Sequence, residues 1–164
     1  MKLSLPIDTV LSALCDAVRR SACVVLSAAP GAGKTTRVPL ALLDAGTVAG
    51  RILMLEPRRL AAIRAAQYMA QQLAENVGET VGYRIRGESK VSARTKIEVV
   101  TEGVLARQIQ NDPELSGVGL IIFDEFHERS LHADLGLALA RDVQKSWRDD
   151  LKIVVMSATL DGVA

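Results

Sequence analysis

The chain has 164 residues, with 20 Lys+Arg against 19 Asp+Glu for a net charge of +1, and is 49% hydrophobic and 24% charged. That balance fits one domain with a self-supporting core and excludes a largely disordered chain. Near-neutrality excludes a uniformly basic wrapper of nucleic acid while leaving room for a local basic face, and one Trp, two Tyr and two Phe exclude a binding surface built mainly of stacked rings.

Ile7, Val10, Leu11, Leu14 and Val18 recur at helical spacing and predict a first helix. Residues 22–27 form a short apolar run, expected to be a buried strand. A Gly-rich turn and a helix over about 34–43 follow. Residues 52–55 read as a second strand stopped by Pro57, and the Ala-rich stretch 60–74 as a helix. Residues 80–85 and 96–100 read as two strands separated by a polar stretch, 86–94, of charges and turn formers. A short helix over 102–110 is closed by Asn111-Asp112-Pro113. Residues 119–123 make the most apolar strand, 131–147 a helix and 152–156 a last strand. Uniformly apolar strands alternating with helices predict an α/β fold, a mostly parallel sheet with helices on both faces. Cys15 and Cys23 are too few for a disulfide framework or a metal site; they read as small apolar residues of a reducing compartment, with a single bridge left open. No apolar run approaches the roughly 18 residues of a membrane helix, and Asp8 interrupts any leader after Lys2. The expected setting is cytoplasmic, with no membrane partner.

Ala28-Ala29-Pro30-Gly31-Ala32-Gly33-Lys34-Thr35 follows a strand and opens a helix, the context of a phosphate-binding loop. Glycines let backbone N–H groups turn in around an anion, and the helix N-terminus adds its dipole and unpaired donors. Pro30, Gly31, Ala32, Gly33, Lys34, Thr35 and Thr36 are the candidate nucleotide contacts. Lys34 supplies a point charge for the β- and γ-phosphates, and the Thr35 hydroxyl can ligate Mg²⁺. Ala28 stands where the strict pattern has Gly, which costs little if its φ is negative.

The strand over 119–123 runs directly into Asp124-Glu125-Phe126-His127. Carboxylates at the carboxyl end of a buried parallel strand lie where such sheets bind ligands. Asp124 suits the role of metal holder and Glu125 that of general base or water-orienting acceptor. His127 gains interest from its place beside them. Alone, the acidic pair reads equally well as a solvated loop; with the phosphate loop upstream, two complementary halves of one site are present.

These segments, with Glu56-Pro57-Arg58-Arg59-Leu60-Ala61-Ala62, Thr101-Glu102-Gly103-Val104-Leu105, Asp124 to Ser130 and Ser157-Ala158-Thr159, stand in the order and rough spacing of superfamily 2 helicases. The chain resembles the DEAH-box group, and Phe126 with the Glu-Pro-Arg-Arg segment is most similar to its bacterial HrpB-type members. The resemblance runs from about Pro6 onward. It implies a RecA-like P-loop NTPase domain occupying residues 1–164, the first motor domain of an ATP-dependent helicase, acting more on RNA than on DNA. It implies ATP and Mg²⁺ as cofactors and Lys34, Asp124, Glu125 and His127 as catalytic, with Thr35 and Asp124 on the metal. It places Arg58, Arg59, Thr101 and Gly103 along a single-stranded nucleic-acid path. Without it, those residues read as a solvated helix start and an ordinary helix cap. Guanidinium groups, a hydroxyl and backbone N–H groups suit phosphate and ribose without reading bases. The resemblance further assigns Ser157 and Thr159 to coupling between nucleotide state and domain movement, draws His127 into that coupling, and puts Arg86 in a turn near the strand.

Departures accompany it. Phe126 replaces Ala and is expected to pack inward. Tyr68 stands where relatives often carry an Arg that stacks on the nucleobase; its ring could stack without the charge, or simply pack on the surface. The arginine fingers belong, in the family, to a second RecA-like domain that these residues lack, so little hydrolysis is expected of this lobe alone. A P-loop NTPase of another class, for transport or protein remodelling, and a non-enzymatic nucleotide-binding module remain the alternatives.

Overall fold

The computed structural model describes residues 4–29, 31–126 and 131–158. A 3₁₀ turn at Pro6–Thr9 leads into α1 (Leu11–Arg20), β1 (Cys23–Ser27), α2 (Lys34–Asp44), β2 (Arg51–Leu55), α3 (Arg59–Gln72), β3 (Val81–Ile85) and β4 (Glu88–Lys90). Then come β5 (Ile97–Val100), α4 (Glu102–Asn111), β6 (Val118–Phe123), α5 (Leu131–Ser146) and β7 (Lys152–Ser157). The strands form one seven-stranded sheet in the order β1-β7-β6-β2-β5-β3-β4. Every pairing is parallel except β3 with β4.

Alternation along the strands builds two cores. In β6, Leu120 and Ile122 point to the side covered by α1, α2 and α3, where they join Ile52, Val38 and Met69. Ile121 and Phe123 point to the other side, with Leu105 of α4 and Val143 of α5. Each such side chain, fully buried, stabilises the fold by roughly 1.5–3 kcal/mol relative to exposure. A strand with apolar residues at both parities has no solvent face, which is why β6 sits in the interior of the sheet.

Three expectations need correction. Residues 22–27 do not form a buried strand. β1 is an edge strand whose residues alternate between exposed and half-buried, and Val25 is 63% exposed. An apolar run cannot report whether a neighbour lies on both of its sides. The polar stretch 86–94 is not purely a connection: Glu88–Lys90 pair back on β3 through a tight turn at Gly87, whose φ is +82°. Cys23 is exposed rather than packed, while Cys15 is buried, and both thiols are free. Among the described residues, no helix is long and apolar enough to cross a membrane.

Because β1, β2, β5, β6 and β7 run parallel, their carboxyl ends share one edge of the sheet. The segments that begin at Ala28, Glu56, Thr101, Asp124 and Ala158 all leave the sheet there.

Candidate nucleotide site and the neighbouring strand ends

Between β1 and α2 the chain turns through Gly31 at φ +78° and Gly33 at φ +97°. A Cβ on Gly33 would come closest to the end of the Leu5 side chain (2.6 Å from Cδ1), which can swing aside, so it is the positive φ that calls for glycine here. Ala28 does not take a positive φ, which explains why Ala is accepted there. Its N–H donates to the Ser157 carbonyl (3.2 Å), and its own carbonyl accepts from Lys34 Nζ (2.8 Å). Lys34 is only 6% exposed, with its ammonium folded back over the turn. A cavity of about 280 Å³ is lined by Gly31, Ala32, Gly33, Lys34, Thr35 and Thr36, and Glu125 forms part of its wall.

Asp124 is 4% exposed and held at both oxygens. Oδ2 accepts from Thr35 Oγ1 (2.7 Å) and Oδ1 from the Glu125 N–H (2.9 Å), while its N–H donates to the Leu55 carbonyl (3.0 Å). Glu125 takes a φ of +54°, unusual for a side chain with a Cβ and common at functional sites. Phe126 donates its N–H to Met156 and stacks edge-on against Phe123, with ring centroids 6.4 Å apart at 84°. Its bulk therefore joins the core beneath α4 and α5.

Glu56 was not singled out by the sequence. It follows β2, which pairs with β6, so it lies against Asp124 at 4% exposure. Burial, then the hydrogen bond and charge of Asp124, then the charge of Glu125 push its pKa up to about 10, and Arg58 offsets only part of this. Its Oε2 has no hydrogen-bond partner among the described residues. The available signal was a carboxylate placed directly after an apolar strand, at the edge where Asp124 also emerges.

Beside the phosphate loop, a wide groove of about 730 Å³ runs between the start of α2 and α3, lined among others by Thr36, Arg58, Leu60, Arg64 and Tyr68. Tyr68 is 43% exposed, its ring half on the helix and half open. Arg64, one helical turn earlier, is a second residue not foreseen. Arg58 is the exposed N-cap of α3. Arg59 is exposed yet engaged: Nη1 donates to the Arg86 carbonyl (2.7 Å) and Nη2 lies 3.7 Å from Glu88 Oε2. Thr101 caps α4 without a side-chain capping bond, and Gly103 is exposed with open space where a Cβ would stand. Ser157 closes β7, buried behind the phosphate loop. Pro30, His127 and Thr159 lie outside the described residues.

Thus Lys34, Thr35, Asp124 and Glu125 form one cluster, while Arg58, Arg59, Thr101 and Gly103 follow the adjoining strand ends. Residues 10–164 match the DEAD/DEAH box helicase family. The chain is 59% identical over 158 residues to the ATP-dependent RNA helicase HrpB of Escherichia coli (strain K12), covering 96% of this chain and 20% of that protein. It is 39% identical over 163 residues to the ATP-dependent RNA helicase DHX30 of Gallus gallus, covering 96% and 13%. A crystal structure of the Escherichia coli DEAH/RHA helicase HrpB superposes with a TM-score of 0.94 at 59% identity, covering 96% of this chain and 20% of that one. A second, of the E. coli DExH-box NTPase HrpB, gives 0.95 at 57%, covering 99% and 20%. The chain spans about a fifth of the length of the HrpB relative it matches. On a family match running over nearly all its residues, the chain belongs to the DEAD/DEAH box helicases, and its sheet is a RecA-like domain of that family.

Proposed function

We propose that this chain is the ATP-binding first lobe of an RNA helicase, coupling hydrolysis of Mg–ATP to movement along single-stranded nucleic acid. The observation that carries the reading is the Thr35–Asp124 hydrogen bond. It joins a hydroxyl at the start of α2 to a strand-end carboxylate 89 positions away, at 2.7 Å. Both are hard oxygen donors, the type Mg²⁺ takes, and they lie beside the cavity of the phosphate loop.

In this reading, N–H groups of the loop and the α2 N-terminus, with its dipole, hold the phosphates. Lys34 leaves the Ala28 carbonyl for the β- and γ-phosphate oxygens, so its ammonium exchanges a neutral acceptor for anionic ones. Thr35 and Asp124 would hold Mg²⁺, which would supply positive charge beside the phosphates. Glu125, turned toward the phosphate cavity by its unusual backbone, orients the attacking water and accepts its proton. Glu56, kept neutral by its surroundings, adds no further repulsion there. Tyr68 offers a ring face to the nucleobase. Arg58, Arg59, Thr101 and Gly103 follow the strand through its backbone, which favours binding without sequence preference. Ser157, Thr159 and His127 form the coupling segment. A second RecA-like domain of the parent chain supplies the arginine fingers, worth about 10³–10⁵ in rate, and the protein works in the cytoplasm.

The test is Glu125→Gln in the full-length protein. Turnover is expected to fall by about 10²–10⁴ while affinity for a fluorescent ATP analogue stays within about twofold of wild type. Unchanged turnover removes Glu125 from this role. ATPase activity that stays flat as single-stranded RNA is added overturns the coupling.

A further inference from the structure

Between the β3–β4 hairpin and α4 lies a groove of about 390 Å³, set apart from the nucleotide cavity. Its helical wall is Val104, Arg107, Gln108 and Asn111, residues at i, i+3, i+4 and i+7 and so on one face of α4. Thr101 and Gly103 precede Val104 and Arg107 by three and four residues, so the same face continues upward to the proposed strand path. From Gly103 to Asn111 it runs about 12 Å along the helix axis.

The charges in this groove are unevenly committed. Arg84 reaches in from the hairpin, its Nε fixed at 3.1 Å by Glu98, a carboxylate only 3% exposed. Glu88, the one acid in the lining, is occupied by the Tyr83 hydroxyl (2.5 Å) and by Arg59 (3.7 Å). Arg107 is exposed, and its guanidinium has no hydrogen-bond or ion-pair partner among the described residues. The Gln108 Oε1 is buried and likewise unpartnered. Two guanidinium groups match anionic phosphate oxygens, and an orphaned acceptor matches a sugar hydroxyl. Among the described residues the lining holds no aromatic ring, and so no platform for a base. Arg59 ties the hairpin turn that forms one wall to the start of α3.

We infer that this groove is a further binding site for the sugar–phosphate backbone of single-stranded nucleic acid, extending the path beyond Gly103, with Arg107 as its main phosphate contact. The inference rests on the functional reading above, and the experiment separates the two. The full-length protein is titrated with a labelled single-stranded oligouridine over a range of salt concentrations. Arg107→Ala is expected to weaken binding by about 3–10-fold near 0.1 M salt and to reduce the log–log salt slope by about 0.7, the share of one phosphate on a single strand. Arg107→Lys retains most of the slope, and Arg107→Glu loses more affinity than Arg107→Ala. Arg20→Glu, a charge reversal at the exposed end of α1, leaves binding unchanged. Thermal midpoints equal to wild type show that the variants are folded. If Arg107→Ala and Arg107→Glu bind as wild type does with the same slope, another part of the protein covers the groove and the inference is overturned, while the roles of Arg58, Thr101 and Gly103 stand. A wild-type protein that binds no oligouridine overturns the functional reading and this inference with it.

Discussion

Around the phosphate loop, Lys34, Glu56 and Asp124 are each less than a tenth exposed, and two of the three are tied by hydrogen bonds of 2.7–2.9 Å. Along the hairpin and α4, Arg86 and Arg107 stand in solvent. The two regions hold charge by opposite means. A buried charge must be matched atom by atom, because an unmatched one is costly. An exposed guanidinium contributes little to stability and acts through a field that salt screens. The nucleotide region should therefore respond sharply to single atoms, and the strand region to the number of charges and to ionic strength.

Lys34→Ala is the strongest way to break this contrast. It removes charge-assisted hydrogen bonds worth about 1.5–3 kcal/mol, so affinity for a fluorescent nucleotide should drop by about 10–100-fold. Oligouridine binding measured without nucleotide should hardly move. A parallel loss of both affinities would show that the regions are not separable.

Glu56→Gln sharpens the contrast through pH. Because the folded protein raises this pKa above the ordinary carboxyl value of 4.5, the folded state binds more protons than the unfolded state above that pH. The stabilisation is full below pH 4.5 and is lost as pH rises through the folded value. In chelator and without nucleotide, wild type should lose stability from pH 5 to 8, with a one-proton ceiling of about 1.4 kcal/mol per pH unit. Glu56→Gln should flatten that decline, and denaturant midpoints compared across this range decide it. A parallel decline in both proteins would rule out Glu56 as its source.

Gly103→Ala is the mildest. With open space at the Cβ position, the substitution should stabilise α4 by about 0.5–1 kcal/mol through helix propensity. If a nucleic-acid backbone approaches this turn closely, the added methyl weakens oligouridine binding a few-fold. Urea denaturation and fluorescence anisotropy on one preparation give both numbers, and a gain in stability with intact binding would leave Gly103 without a contact.

The sequence carried the architecture where local pattern and tertiary position agree. β6 was readable because a strand apolar at both parities has to lie between two layers, and the turn between β1 and α2 because its glycine spacing directly encodes the backbone. β4 was not, since Glu88, Ser89 and Lys90 are all exposed and become a strand only by pairing with β3. The exposure of β1 is not legible because nothing in Cys23–Ser27 reports that, among the described residues, it pairs with β7 alone. Glu56 stayed hidden for a related reason: its contact with Asp124 follows from β2 lying next to β6, a fact of strand order rather than of spacing. The engagement of Arg59 with the hairpin turn was equally invisible, because the Arg86 carbonyl and Glu88 reach it only once β3 and β4 have paired.

The phosphate loop grows from the margin of the sheet rather than its middle. Its first residue, Ala28, is pinned to the end of β7 by one backbone bond of 3.2 Å to Ser157. Such a bond contributes about 1 kcal/mol net, close to the scale of thermal agitation. A second bond, from the Ile7 N–H to the Ala32 carbonyl (3.1 Å), moors the same turn to the 3₁₀ segment at the start of the chain, so the loop bridges two margins of the fold that share no strand.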